Sequence, residues 1–142
     1  YNCITRAFES SLYLKKKNSI RLDFKKKILI AEDDPSGREI LIKLLQTIGF
    51  SEIDCAEDGL QTLNMIQKQN YSYLFIDLKM PIIDGYEVIT TLNKKPNKAM
   101  KLICVSASVT DDDKQFCQKA SVPFLPKPVQ LRDLQDLMVT LS

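Results

Sequence analysis

Histidine is missing altogether from this sequence. That absence removes zinc and haem sites of the usual kind, together with Ser/His and Cys/His nucleophilic pairs. Any chemistry has to run on carboxylates, hydroxyls and lysines. The cysteines Cys3, Cys55, Cys104 and Cys117 form no CxxC pair and lack the even, loop-rich spacing that staples small secreted folds, which favours a reducing compartment. No apolar run approaches the roughly 20 residues of a membrane span, and the N-terminus has no continuous apolar stretch of signal-peptide type. The expectation is a soluble, cytoplasmic chain that contacts no membrane. Internal repeats and low-complexity segments are lacking as well.

What is present suffices for one domain. A chain of 142 residues, 44% apolar, can bury a sizeable α/β core with a tail to spare, but is short for two domains. The net charge of +2 conceals an asymmetry: residues 1 to 27 carry eight Lys/Arg against two acids, and residues 28 to 142 carry twelve against sixteen. Residues 1–25 are therefore expected to form a basic leader or linker, and residues 26–142 the folded domain. Short charged leaders are more often solvated linkers than nucleic-acid binders, so no direct nucleic-acid contact is expected. Within residues 1–24, Ile20, Leu22 and Phe24 alternate as in a strand, while Ile4, Phe8 and Leu12 suit a helix. This segment is assigned to neither.

From residue 26 onward two periods alternate. KKILIA, 26–31, reads as a strand buried on both faces. Asp34 and Pro35 then stand where an N-cap and a first-turn proline belong, and Ile40, Leu41, Leu44, Leu45 and Ile48 share a helical face closed by Gly49. Ile53 to Cys55 is a second strand, followed by a helix with Leu60, Leu63 and Ile66 toward the core. Tyr73 to Ile76 is a third strand, ending at Asp77 before a turn with Pro81, Asp84 and Gly85; Tyr86, Ile89 and Leu92 make the next helical stripe. Leu102 to Val105 is a fourth strand, and Thr110 and Asp113 have capping-box spacing for a helix to about Ala120. Phe124 and Leu125 form a short fifth strand, before a last helix with Leu131, Leu134, Met138 and Leu141 on one face. Five strands alternating with five helices imply a parallel sheet covered on both sides.

Open parallel sheets bind ligands at the carboxyl ends of their strands. Glu32 and Asp33 follow the first strand, Asp77 the third, Ser106 the fourth and Lys127 the fifth. If the strand order is 2-1-3-4-5, the three carboxylates become neighbours. Crowded carboxylates repel one another unless a cation sits among them, and an oxygen-only donor set points to magnesium. Asp77 then has the surroundings of a nucleophile toward phosphorus, forming an acyl phosphate while Lys127 and the metal offset charge and Ser106 donates a hydrogen bond. Taken singly, each of these residues reads as a turn, cap or solvated residue. Their joint placement after separate strands shifts the balance. Asp34, Asp58, Asp84 and Asp111 to Asp113 lack such company and are read as caps, turn residues and surface acids.

Over roughly residues 26 to 141 the sequence resembles a response-regulator receiver domain of two-component systems. ILIAEDDPSGREIL is similar to that family's first strand and acidic pair, YLFIDLKMPIIDG to its phosphoacceptor strand and loop, ICVSAS to its switch-hydroxyl strand, and FLPKP to its lysine–proline signature. The resemblance implies an α/β, flavodoxin-like (βα)5 three-layer sandwich with sheet order 2-1-3-4-5. It implies Asp77 as phosphoacceptor and Glu32, Asp33, Asp77 and the Lys79 backbone carbonyl as Mg2+ ligands. It further implies Ser106 as switch hydroxyl, Ala107 as the small neighbour whose N–H faces the phosphoryl group, Lys127 as the conserved-type lysine before a cis bond to Pro128, and Phe124 as the switch aromatic.

The same resemblance implies a phospho-accepting signalling module rather than a classical enzyme. Its expected partners are a histidine kinase or histidine phosphotransfer protein and a downstream protein, with a homodimer through the last helix and fifth strand as one alternative. Because the chain starts at Tyr1 and stops with the last helix, it is expected either to belong to a hybrid histidine kinase or to be a stand-alone regulator. Ala120 and Ser121 replace the family's frequent Gly-Ala ahead of Pro123. Without glycine, a left-handed cap costs on the order of 1 kcal/mol, so a different turn geometry is expected there. A haloacid-dehalogenase-type phosphatase would want an aspartate where Lys79 stands, and a binding-only pseudo-receiver would lack one of the acids or the lysine.

Overall fold

The computed structural model describes residues 22–95, 99–107 and 110–142; the strand and helix readings for residues 1–21 lie outside them. Strands β1 (Ile28–Ala31), β2 (Ile53–Ala56), β3 (Tyr73–Ile76), β4 (Lys101–Ser106) and β5 (Phe124–Pro126) form one parallel sheet in the order β2-β1-β3-β4-β5. Helices α1 (Pro35–Ile48), α2 (Gly59–Lys68), α3 (Gly85–Lys94), α4 (Asp111–Lys119) and α5 (Leu131–Leu141) connect and follow them.

Strand alternation divides the core into two layers. Ile28, Ile30, Tyr73, Phe75, Ile103 and Val105 point to one face, where Leu41, Leu45 and Ile48 of α1 and Leu134 and Met138 of α5 cover them. Leu29, Ala31, Leu74, Ile76 and Cys104 point to the other, covered by residues of α2, α3 and α4 such as Ile66, Val88, Ile89 and Cys117. Both faces of β1 and β3 are fully buried, so these strands carry continuous apolar runs rather than alternating ones. The three-layer α/β sandwich and its strand order are as the sequence implied.

Local chemistry starts each helix where the sequence placed it. Asp34 accepts from Ser36 and Gly37 N–H, Asp58 from Gln61 N–H and Asp84 from Glu87 N–H, while Thr110 and Asp113 form a reciprocal capping box. Three expectations need correction. Ile40 and Leu60 were read as core-facing but are 52% and 46% exposed, Ile40 on the wall of a cavity at the carboxyl edge of the sheet and Leu60 in the first turn of its helix. The first strand begins at Ile28, leaving Lys26 and Lys27 outside it, where their ammonium groups lie over the Tyr73 and Tyr71 rings. Phe24, in the segment left unassigned, sits in a turn edge-on to Phe50.

The third correction concerns the turn after α4. Ser121 adopts the left-handed conformation, φ 58°, that the absence of glycine argued against. Val122 N–H donates to Cys117 O at 2.9 Å and Ser121 N–H to Gln118 O at 3.1 Å, satisfying the helix-end carbonyls and offsetting the backbone cost.

Gly85 opens α3 directly against the exit of β3. A Cβ there would lie 2.3 Å from the Asp77 carbonyl oxygen and 2.6 Å from Leu78 Cα, both backbone atoms that cannot swing aside. Gly85→Ala is therefore expected to destabilise the domain by about 1–3 kcal/mol. Urea denaturation of the variant beside the parent measures the loss.

Candidate functional site

The sheet register assembles the site. Ala31 pairs with Ile76 at the ends of β1 and β3, so the next residues, Glu32 and Asp77, emerge side by side at the carboxyl edge. Backbone bonds continue past the strand ends: Glu32 N–H donates to Ala56 O, Asp77 N–H to Ala31 O and Lys127 N–H to Ser106 O, each at 3.0 Å. The backbones that launch these charged side chains are thus held almost as firmly as the sheet.

Lys127 binds the two buried acids together. Its ammonium donates to Glu32 Oε1 at 2.6 Å and to Asp77 Oδ2 at 2.9 Å. The other Asp77 oxygen, Oδ1, accepts from Lys79 N–H at 3.0 Å. Glu32 is 5% and Asp77 8% exposed, whereas Asp33 is exposed. One carboxylate oxygen from each of Glu32, Asp33 and Asp77 lies within 4.8 Å of the others. Ser106 is buried at the end of β4, Ala107 follows it at the surface, and Phe124 is half-buried against the α2–α3–α4 layer. The Lys127–Pro128 peptide is cis. Glu32, Asp77 and Lys127 border a cavity of about 300 Å³ whose walls also include exposed Ile40 with Leu41, Phe75 and Val129.

Charge crowding shows in the titration of Glu32. Burial, together with the hydrogen bond and repulsion of Asp77 and against the pull of Lys127, raises its carboxyl pKa to about 7. For Lys127, burial by itself disfavours the ammonium, but the hydrogen bonds and charges of Glu32 and Asp77 outweigh it and the pKa is raised. One ammonium does not balance three carboxylates. An all-oxygen group of acids under this repulsion fits a hard divalent cation, and it offers no nitrogen or thiolate for a softer one.

The structure brings together Glu32, Asp33, Asp77 and Lys127 as expected, with Ser106, Ala107 and Lys79 on the same edge. Asp34, Asp58 and Asp84 serve as helix caps, as read from sequence. Two neighbours were missed. At Gly37 a Cβ would stand 2.7 Å from Glu32 Oε1, so this glycine leaves room for the buried carboxylate. A glycine early in an otherwise periodic helix was the available signal, since it costs about 1 kcal/mol against alanine. Arg38 donates to the carbonyl oxygens of Glu32 and Asp33, which no sequence pattern announces.

The sequence profile described as the response regulator receiver domain matches residues 28–139. Hybrid signal transduction histidine kinase K of Dictyostelium discoideum is 31% identical over 118 residues, covering 77% of this chain. The chain spans only 10% of that kinase's length. Among solved structures, the Francisella response regulator 1452 receiver domain has 28% identity and a TM-score of 0.71, covering 82% of this chain and 96% of its own. The receiver domain of sensor histidine kinase PA1611 from Pseudomonas aeruginosa, solved with a magnesium ion coordinated in its active-site cleft, has 24% identity and a TM-score of 0.73, covering 82% and 97%.

A raised carboxyl pKa means that the folded state holds a proton the unfolded chain has already released, so stability falls as pH rises from the ordinary 4.5 through about 7. Glu32→Gln keeps the neutral form at every pH. Without divalent ions, the variant is expected to match the parent near pH 5 and to exceed it in melting temperature at pH 8. A pH-independent difference between the two would contradict this.

Proposed function

Because the chain belongs to the response regulator receiver domain family, we propose that it takes a phosphoryl group onto the Asp77 carboxylate from a histidine on a partner kinase or histidine phosphotransfer protein. The observation that carries this reading is the position of Asp77: almost buried at the strand edge, one oxygen on Lys127 and the other on the Lys79 N–H, with Glu32 and Asp33 beside it. The 142 residues contain no histidine, so the donor imidazole comes from outside them.

In the transfer, an Asp77 oxygen forms a bond to phosphorus as the phosphorus–nitrogen bond to the donor imidazole breaks, and the nitrogen keeps that electron pair. Lys127, already in contact with Asp77, neutralises charge on the phosphoryl oxygens. The Ser106 hydroxyl and Ala107 N–H are assigned to the same group as hydrogen-bond donors. Glu32, Asp33, Asp77 and the Lys79 carbonyl are the residues that would hold Mg2+, which when bound supplies charge neutralisation for the acids and for the transferring phosphoryl group. Water later hydrolyses the acyl phosphate and returns the carboxylate.

The output follows from the same placement. A doubly charged group beside Ser106 and Lys127 draws the hydroxyl inward, Phe124 moves into the space released, and the α4–β5–α5 surface shifts its preference among partners. A downstream protein or a second copy of the chain, meeting through α5 and β5, receives that change. Residence in the cytoplasm fits this role, and among the described residues no helix is long and apolar enough to cross a membrane. A hybrid histidine kinase is the parent most in keeping with the relative described above, and a stand-alone regulator is the alternative.

Incubation with a small-molecule acyl phosphate or phosphoramidate donor tests the assignment. Hydroxylamine-labile phosphate is expected on the parent chain in the presence of Mg2+, sharply reduced without it, and absent from Asp77→Ala. Label of the same lability retained by Asp77→Ala would overturn the role of Asp77.

A further inference from the structure

Arg38 stands in the first turns of α1 with its side chain turned back under the loop that follows β1. Nη1 donates to the Glu32 carbonyl oxygen at 2.7 Å and to the Asp33 carbonyl oxygen at 3.2 Å. Nη2 lies 3.8 Å from Glu57 Oε1, beyond the end of β2. Arg38 N–H also bonds to Asp34 O at 3.0 Å, so the residue grips the loop from both its side chain and its backbone. The bond to the Glu32 carbonyl is part-buried and that to the Asp33 carbonyl exposed, while the ion pair reaches a Glu57 side chain that is 72% exposed and is the most solvated of the three.

The two carbonyls belong to the peptide planes immediately after the two acidic residues. Fixing those planes restricts the directions in which the Glu32 and Asp33 side chains leave the backbone. A planar guanidinium can hold two neighbouring acceptors in one geometry; an ammonium on a flexible stem does this less well.

We propose that Arg38 is a positioning residue for the acidic pair, setting through the carbonyls of Glu32 and Asp33 the convergence of their carboxylates and hence their affinity for a hard divalent cation. The inference rests on the reading of that pair as cation ligands. In this role Arg38 acts through the backbone carbonyls of Glu32 and Asp33 and not through their carboxylate oxygens. As a bare positive charge near the site it would weaken the binding of a dication. Positioning and electrostatics therefore predict opposite signs when the charge is removed.

The experiment is titration of the metal-free protein with Mg2+ by calorimetry, with Mn2+ binding followed by electron paramagnetic resonance as a second readout. Positioning predicts that Arg38→Gln and Arg38→Lys each lose about tenfold or more in affinity, the usual range when a group orienting a metal ligand is removed. Glu57→Gln, which leaves the carbonyl bonds in place, is expected to stay within about twofold of the parent. Melting temperatures establish that each variant is folded at the titration temperature. Arg38→Lys supplies the comparison if Arg38→Gln is not folded. Unchanged affinity in both Arg38 variants, or tighter binding by Arg38→Gln, would overturn the proposal. A parent chain that binds neither ion would instead refute the cation-site reading beneath it.

Discussion

The in-phase pairing of β1 with β3 is the constraint on which the site depends. It sets Ala31 against Ile76, and the two residues that follow are both acids. The sheet thereby forces two almost buried carboxylates together, with a third at their side, and supplies one ammonium to hold them. Such an arrangement costs free energy in isolation. It persists because the layers on either side of the sheet are fully packed and the backbone bonds of the strands run on past their ends. The carboxyl of Glu32, raised by burial beside a second buried acid, is the kind of perturbed group that concentrates at functional sites.

Several small features exist to keep this edge intact. Gly37 leaves space for the Glu32 carboxylate, Gly85 lets α3 begin against the backbone of Asp77 and Leu78, and Gly59 admits the Ile83 backbone beside α2. Arg38 ties the acidic loop to α1. Ile82, in the loop that follows Asp77, holds a left-handed conformation at φ 70° that is unfavourable for a β-branched residue and is 74% exposed. Among the described residues the other non-glycine residue with a positive φ is Ser121, at the end of α4.

Much of this was legible in the residues. The strands β1 and β3 announce themselves because a strand buried on both faces needs an unbroken apolar run, and Asp34, Asp58, Asp84 and Thr110 cap helices through contacts only two or three residues away. Errors arose where a side chain's environment depends on remote parts of the chain. Ile40 and Leu60 satisfy the helical period, yet the period does not reveal whether the neighbouring layer reaches them. Ser121 shows the converse: its local cost was judged correctly, but the bonds returned by the end of α4 were invisible. Arg38 escaped notice because its acceptors are backbone carbonyls, which every residue possesses.

By itself the sequence determined the alternation of strands and helices, the caps, and the list of charged residues standing at strand ends, because all of these are fixed by short-range periodicity and by hydrogen bonds between near neighbours. The tertiary structure decided which of those charges meet. Glu32 and Lys127 are 95 positions apart and Asp77 and Lys127 are 50 apart, and their contacts exist only through strand order and register. The raised pKa of Glu32, the room provided by Gly37 and the grip of Arg38 on the acidic loop follow from that assembly, since burial and proximity are properties of the packed sheet rather than of any residue in it.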